Sequence, residues 1–154
     1  MNIYTIGFTK KKASEFFGLI SKNKIDLLLD IRLNNKSQLA GFTKGDDLSF
    51  FLKYICGCSY IHCIEAAPSK ELLSDYKKGK ISWNNYEKIF FKLMQDRKTI
   101  EKISLKYKNY TNICLLCSEE KPDMCHRRLV AELWKKFDGN INIFQPYYYT
   151  TFSP

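Results

Sequence analysis

The sequence of 154 residues is long enough for one domain, and its 45% content of hydrophobic residues is that of a globular protein. No apolar run approaches the roughly 18 residues of a membrane span, and residues 1–7 lack the features of a signal peptide, so we expect a cytoplasmic protein without a membrane partner. Lys and Arg number 25 against 16 Asp and Glu. This positive charge favours an anionic small molecule or a nucleic acid as partner, although exposed lysines also serve solubility alone.

Strands and helices are predicted to alternate along the chain. Short β-rich or apolar runs predict strands at residues 2–7, 25–31, 59–64, 113–116 and 140–144. Apolar residues at helical spacing predict helices over residues 11–23, 46–55, 69–76, 82–103 with a break near 96–99, and 124–137. Residues 1–154 contain no linker or repeat and end in an aromatic tail at 145–154. The alternation predicts a single three-layer α/β domain, with a mostly parallel sheet of about five strands and helices on both faces.

Reactive side chains are concentrated in the stretch ICLLCSEEKPDMCHRR, residues 113–128, where a buried strand is followed by a helix. Asp123 is a suitable N-cap for that helix. Ligands of open α/β sheets bind beyond the carboxyl ends of the strands. We therefore expect a site at this edge, to which the second strand would bring Asp30 and Arg32 and the third strand Glu65.

Arg32 and Arg127 are the predicted anion-binding residues. A guanidinium stays charged and can bind carboxylate or phosphate through two parallel hydrogen bonds. The N–H groups at the start of the helix would add to such a site. In the alternative interpretation, either arginine only pairs with Asp30 or Glu119 and holds two loops together.

Asp30, Glu119 and His126 are the predicted acid–base residues, and Cys117 is the predicted nucleophile. A thiolate is nucleophilic near neutral pH, and an imidazole exchanges protons in the same range. Cys125, near the start of the helix and beside His126, is a second candidate thiolate. Neither cysteine is followed by Arg at the C-x5-R spacing of thiol phosphatases. Both thiols could instead only pack the strand against the helix.

No cofactor is predicted. Zinc is an alternative, because Cys117, Cys125 and His126 could supply three ligands, with Glu119 or water as the fourth. The C-x7-C-H spacing lacks the CxxC pair of many zinc sites. The remaining cysteines are predicted to be free thiols in the core: Cys56, Cys58, Cys63 and Cys114.

The motif L-C-x-E-x-x-P-x-x-C-H-R is present in full at residues 116–127, and T-I-G and D-I-R occur at residues 5–7 and 30–32. Through these motifs the chain resembles the DUF488 family, whose molecular function is poorly established. The resemblance implies a site at these residues, and it adds Ser37, which matches a family serine, as a third anion-binding candidate. Trp83 and Tyr86 match a W-x-x-Y helix of the family.

The chain also departs from the family pattern after the first strand. Phe8 and Thr9 stand where the family often has His and Ser. A catalytic imidazole at that place is therefore excluded.

Taken together, these residues predict an enzyme, a hydrolase or a transferase, that acts on a nucleotide, a nucleic-acid base or another phosphate-bearing substrate. No GxGxxG or P-loop motif supports a dinucleotide or NTPase site. The alternative is a non-catalytic basic module in which lysines and the aromatic tail bind nucleic acid.

Overall fold

A parallel β-sheet forms the centre of the fold. The computed structural model describes residues 1–36 and 41–146. The strands are β1 (Asn2–Gly7), β2 (Leu27–Asp30), β3 (Ser59–His62), β4 (Asn112–Cys117) and β5 (Asn142–Phe144). Their order in the sheet is β3-β2-β4-β1-β5, and every pair is parallel.

Helices cover both faces of this sheet. They are α1 (Ala13–Lys22), α2 (Gly45–Phe51), α3 (Lys70–Lys77), α4 (Trp83–Asp96), α5 (Thr99–Lys106) and α6 (His126–Phe137). The chain continues from α2 into a π-helical turn, Leu52–Cys56, and forms 3₁₀ turns at Gly41–Thr43 and Ile64–Ala66. The predicted three-layer α/β fold is therefore confirmed.

Alternate residues of each strand pack into opposite cores. Leu28 of β2 packs with Phe16 of α1 on one face, whereas Leu27 and Leu29 pack with Trp134 of α6 on the other. Side chains alternate across a strand with a period of two. A central parallel strand covered on both faces is therefore apolar at successive positions, as the run at residues 25–31 predicts.

Local signals explain where several helices begin and end. Ser69 and Ser82 accept hydrogen bonds from the backbone N–H groups of Leu72 (3.1 Å) and Asn85 (3.3 Å), and so cap α3 and α4. Lys98 adopts a left-handed conformation, with φ of 52°, between α4 and α5. The predicted break in the fourth helix is thus confirmed.

The beginning of α6 differs from its prediction. Asp123 is not the N-cap, because residues 122–125 form a turn in which the Cys125 N–H donates to the Pro122 carbonyl at 3.1 Å. Cys125 is the N-cap, without a side-chain capping bond, and the helix begins at His126.

Two predictions, on Ser37 and on the aromatic tail, concern residues that the structure does not describe or describes only in part. Ser37 and residues 147–154 of the aromatic tail lie outside the described residues. Within the described ranges, no helix combines the length and the apolar character that crossing a membrane requires.

Candidate functional site

A cavity of about 910 Å³ lies at the carboxyl ends of β1, β2 and β4. These ends meet because the strands are adjacent and parallel, with Gly7 paired to Cys117 and Asp30 paired to Leu116. The loops after β1 and β2, the start of α6, and residues of α3 and α4 complete the wall. The lining residues with polar or charged groups include Thr9, Lys10, Lys11, Arg32, Asn34, Lys77, Ser118 and Glu119, together with Cys117, Cys125 and His126.

Cys117 lies at the inner wall of the cavity and is surrounded by hydrogen-bond donors. The Cys125 thiol and the backbone N–H groups of Ser118 and Glu119 point to its sulfur. The hydrogen bond from Cys125 lowers the pKa of Cys117 although the side chain is only 5% exposed. The hydrogen bond to Cys117, followed by burial, raises the pKa of Cys125. The pair therefore favours a thiolate at Cys117 and a thiol at Cys125, which reverses the expectation that the helix start activates Cys125.

His126 is positioned to exchange a proton with Cys117. Its Nε2 lies 2.8 Å from the carbonyl oxygen of Ile31. Because a carbonyl can only accept, Nε2 carries a proton. Nδ1, which lies 3.7 Å from the Cys117 sulfur, is then the nitrogen that can take up or release a proton. The ring also packs against Phe90 of α4, with centroids 5.8 Å apart.

Arg32 is held by a buried ion pair with Asp30. Its Nε and Nη2 donate to the two carboxylate oxygens of Asp30 at 2.8 and 2.6 Å, and Nη2 also donates to the Thr43 carbonyl at 2.7 Å. Burial alone would lower the pKa of Arg32, but the hydrogen bonds to Asp30 raise it above the ordinary value. The phenol of Tyr60 donates a further bond to Asp30 at 2.8 Å.

One nitrogen of this guanidinium remains available. Arg32 lines the cavity, and its buried Nη1 has no hydrogen-bond partner among residues 1–36 and 41–146. The Phe8 ring lies 5.3 Å from the guanidinium carbon. Arg32 is therefore paired with Asp30, as one of the two interpretations of the sequence predicts, and anion binding by this residue stays a prediction.

Arg127 has a different environment and does not line the cavity. Its guanidinium is 1% exposed and donates to the carbonyl oxygens of Glu119 and of Glu120, the latter at 3.0 Å. Nη1 also lies 3.7 Å from the Cys125 sulfur. The group for which we predicted anion binding instead fixes the loop after β4, so the loop-holding alternative describes it better.

Gly7 permits this close approach of the loop. A Cβ at this position would lie 1.6 Å from the Glu119 carbonyl oxygen and 2.8 Å from Arg127 Nη1. Any side chain would therefore displace the loop that carries Cys117 and Glu119.

The other acidic candidates lie at different distances from the cavity. Glu119 is exposed and lines it. Asp30 is completely buried behind Arg32 and does not line it. Glu65 lies in the 3₁₀ turn after β3, where it accepts a hydrogen bond from Cys63 at 3.5 Å, and it is also not a lining residue.

An aromatic wall faces the reactive residues, and we did not predict it as part of the site. It consists of Tyr76, Trp83 and Tyr86, which all line the cavity. Trp83 stacks on Tyr86 with centroids 4.9 Å apart, and Tyr76 contacts both rings. The sequence signal for this wall is the W-x-x-Y pair, which helical periodicity alone assigns to the core.

Cys117, Cys125 and His126 also form a group that could hold a metal ion. Their candidate ligand atoms lie within 4.8 Å of one another, and all three residues are buried. Two thiols and an imidazole are ligands that zinc would accept. The carbonyl of Ile31 would orient the imidazole, as carbonyls commonly do around metal-bound histidines.

Comparisons with known proteins show the family of the chain. Comparison with curated proteins and with solved structures gives no match. The model of the family described as "Domain of unknown function DUF488" matches residues 12–134, a range that includes the cavity residues from Arg32 to His126 and most of the sheet. The chain therefore belongs to the DUF488 family.

Proposed function

We propose that the chain is an enzyme, a hydrolase or a transferase, that acts on a nucleotide, a base or another phosphate-bearing substrate in the cavity. The observation that carries the proposal is the environment of Cys117. Its sulfur receives hydrogen bonds from Cys125 and from two backbone N–H groups, and it lies at the wall of a cavity large enough for a small molecule.

In the proposed mechanism, the proton of Cys117 resides on Nδ1 of His126, 3.7 Å from the sulfur. The thiolate attacks an electrophilic carbon or phosphorus atom of the substrate, and the bond to the leaving group breaks. Nδ1 gives its proton to the leaving group. An acceptor, such as water, then loses a proton to Nδ1 and attacks the covalent intermediate, which restores the thiolate.

The charge around the cavity supports an anionic substrate. Arg32 offers its free Nη1, and Lys10, Lys11 and Lys77 also line the cavity. Glu119 is the acid–base candidate that can reach a substrate there. Asp30 becomes a positioning residue, because it acts by holding Arg32.

The aromatic wall supports a substrate with a planar ring. Aromatic side chains offer apolar surface of defined geometry to a flat ligand. Tyr76, Trp83 and Tyr86 lie on the same cavity as the cationic groups. A nucleotide satisfies both features, since it carries a planar base and a phosphate.

The test is protection of Cys117 from alkylation by nucleoside 5′-monophosphates. Iodoacetamide should modify Cys117 at neutral pH, and a bound nucleotide should slow the reaction and raise the melting temperature. Lys11→Ala combined with Lys77→Ala should weaken both effects. Lys135→Ala combined with Lys136→Ala removes the same charge from exposed positions of α6 and should leave both unchanged.

Two other results would redirect the proposal. Stabilisation by DNA alone, equal in both lysine variants and lost in salt, would favour the non-catalytic nucleic-acid-binding module. Stabilisation by zinc, with Cys117 unreactive until a chelator is added, would favour a metal centre at Cys117, Cys125 and His126.

A further inference from the structure

We infer that Cys117 and Cys125 form a redox-active dithiol, which reduces a hydroperoxide and becomes an internal disulfide. This reactivity goes beyond the proposed function. It depends on the two sulfur atoms and on access through the cavity, and it does not depend on which substrate the cavity binds.

The first support is the contact between the two thiols. The sulfur atoms of Cys117 and Cys125 belong to a group of candidate ligand atoms that lie within 4.8 Å of one another. A disulfide requires the sulfurs to approach to about 2.05 Å. Cys117 is fixed in the central strand β4, whereas Cys125 follows an exposed turn at residues 119–124. A disulfide therefore requires Cys125 to move toward Cys117, since Cys117 is held in the strand.

The second support is access through the cavity, which Cys117 and Cys125 alone have among the six cysteines, all of them described. Both line the cavity, whereas Cys56, Cys58, Cys63 and Cys114 do not line it. Burial raises the pKa of Cys58 to about 12 and that of Cys63 to about 11, so these thiols stay protonated near neutral pH.

The third support is a supply of donors for the leaving oxygen. His126 Nδ1 lies 3.7 Å from the Cys117 sulfur, and Arg32, whose buried Nη1 has no hydrogen-bond partner among the described residues, also lines the cavity. Both groups can stabilise negative charge on an oxygen that leaves from a peroxide bound there.

The reaction balances with a hydroperoxide as the oxidant. The Cys117 thiolate attacks one peroxide oxygen, the O–O bond breaks, and the departing oxygen takes a proton from Nδ1 of His126. This two-electron step leaves a sulfenic acid on Cys117. The sulfur of Cys125 then attacks the Cys117 sulfur, the S–S bond forms, and the hydroxyl group leaves as water with the proton of Cys125.

The experiment treats the full chain with one equivalent of hydrogen peroxide after incubation with a chelator. Cleavage after Glu119 or Glu120 separates the two cysteines. A disulfide should therefore keep the two peptides joined in mass spectra until a reductant is added. Cys125→Ser should instead accumulate a sulfenic acid on Cys117 that a cyclic dione captures, and Cys56→Ser should behave as the wild type.

Three results would overturn the inference, and a fourth would affect only the proposed function. Oxidation at Cys56, or of Cys117 without the joined peptides in the wild type, would overturn the inference. The inference would also be overturned if the chelator released one zinc ion per chain and the two cysteines resisted peroxide until that release. Loss of nucleotide protection would affect only the proposed function, since the peroxide reaction needs no nucleotide.

Discussion

Arg32 and Arg127 are the same residue type, are 3% and 1% exposed, and follow the ends of neighbouring strands, yet their surroundings differ. Arg32 is paired with a carboxylate, lines the cavity, and has one guanidinium nitrogen without a partner among the described residues. Arg127 donates to two backbone carbonyls and holds a loop. The number of positive charges near a site is therefore a poor guide to anion binding, because the partner of each guanidinium decides what it can do.

The ion pair also makes the two arginines respond differently to the loss of a partner. Removing one member of a buried pair leaves an uncompensated charge. Leaving a carbonyl without its donor costs less free energy of folding, because the carbonyl is neutral. The changes below test this difference, from the largest expected effect to the smallest.

Asp30→Asn should have the largest effect on stability. The change leaves the guanidinium of Arg32 buried without a carboxylate. We expect a loss of about 3–5 kcal/mol in the free energy of unfolding, measured by urea denaturation. Asp123→Asn, at an exposed position, is the control and should change stability by less than about 0.5 kcal/mol. Equal stability of the two variants would mean that the pair does not hold Arg32.

Arg127→Met should destabilise the protein by a smaller amount. It removes the donors to the Glu119 and Glu120 carbonyls but keeps much of the buried apolar volume. We expect a loss of about 2–3 kcal/mol in the same denaturation experiment.

The adjacent Arg128→Met is the matched control. Arg128 forms partly exposed ion pairs with Glu87 and Glu132, and its loss should cost about 0.2–1 kcal/mol. A larger effect at Arg128 than at Arg127 would contradict the loop-holding role of Arg127.

Tyr60→Phe should weaken the Asp30 and Arg32 pair without breaking it. The variant removes one hydrogen bond to the Asp30 carboxylate, which we expect to cost about 1–2 kcal/mol. Tyr54→Phe, at an exposed position, should have no effect. If Tyr60→Phe also leaves stability unchanged, the carboxylate of Asp30 is held by Arg32 alone.

The pH dependence of alkylation should distinguish Cys117 from Cys56. The effect measured here is a difference in reactivity, with little change in the stability of the protein. The lowered pKa of Cys117 means that its thiol ionises at a lower pH than an ordinary cysteine. Its reaction with iodoacetamide should therefore extend to lower pH than that of Cys56 and decline as the pH falls through the lowered pKa. Cys56 is half-buried and has a raised pKa, so it should react only in more alkaline solution.

Peptide mass spectrometry would follow both cysteines in one sample. Unfolding in urea should bring the two profiles together, because the hydrogen bonds to Cys117 are then lost. Identical profiles in the folded protein would show that Cys117 has no special environment.

The sequence by itself determined the layers of the fold. A nearly unbroken apolar run at residues 25–31 has the pattern of a strand buried on both faces, and Ser69 and Ser82 are local helix caps. These features depend on neighbours within a few residues. The sequence also placed Cys117 and Arg32 at one edge, because parallel strands bring their carboxyl ends together.

Only the tertiary structure decided what each group at that edge contacts. The partners of Arg32 include the Thr43 carbonyl, and Asp30 receives a bond from Tyr60, which is 30 positions away. The approach of Glu119 to Gly7 similarly joins two distant strands. Hydrogen bonds and pKa values depend on distances of a few ångströms between remote segments, so they follow from the folded chain and not from local sequence pattern.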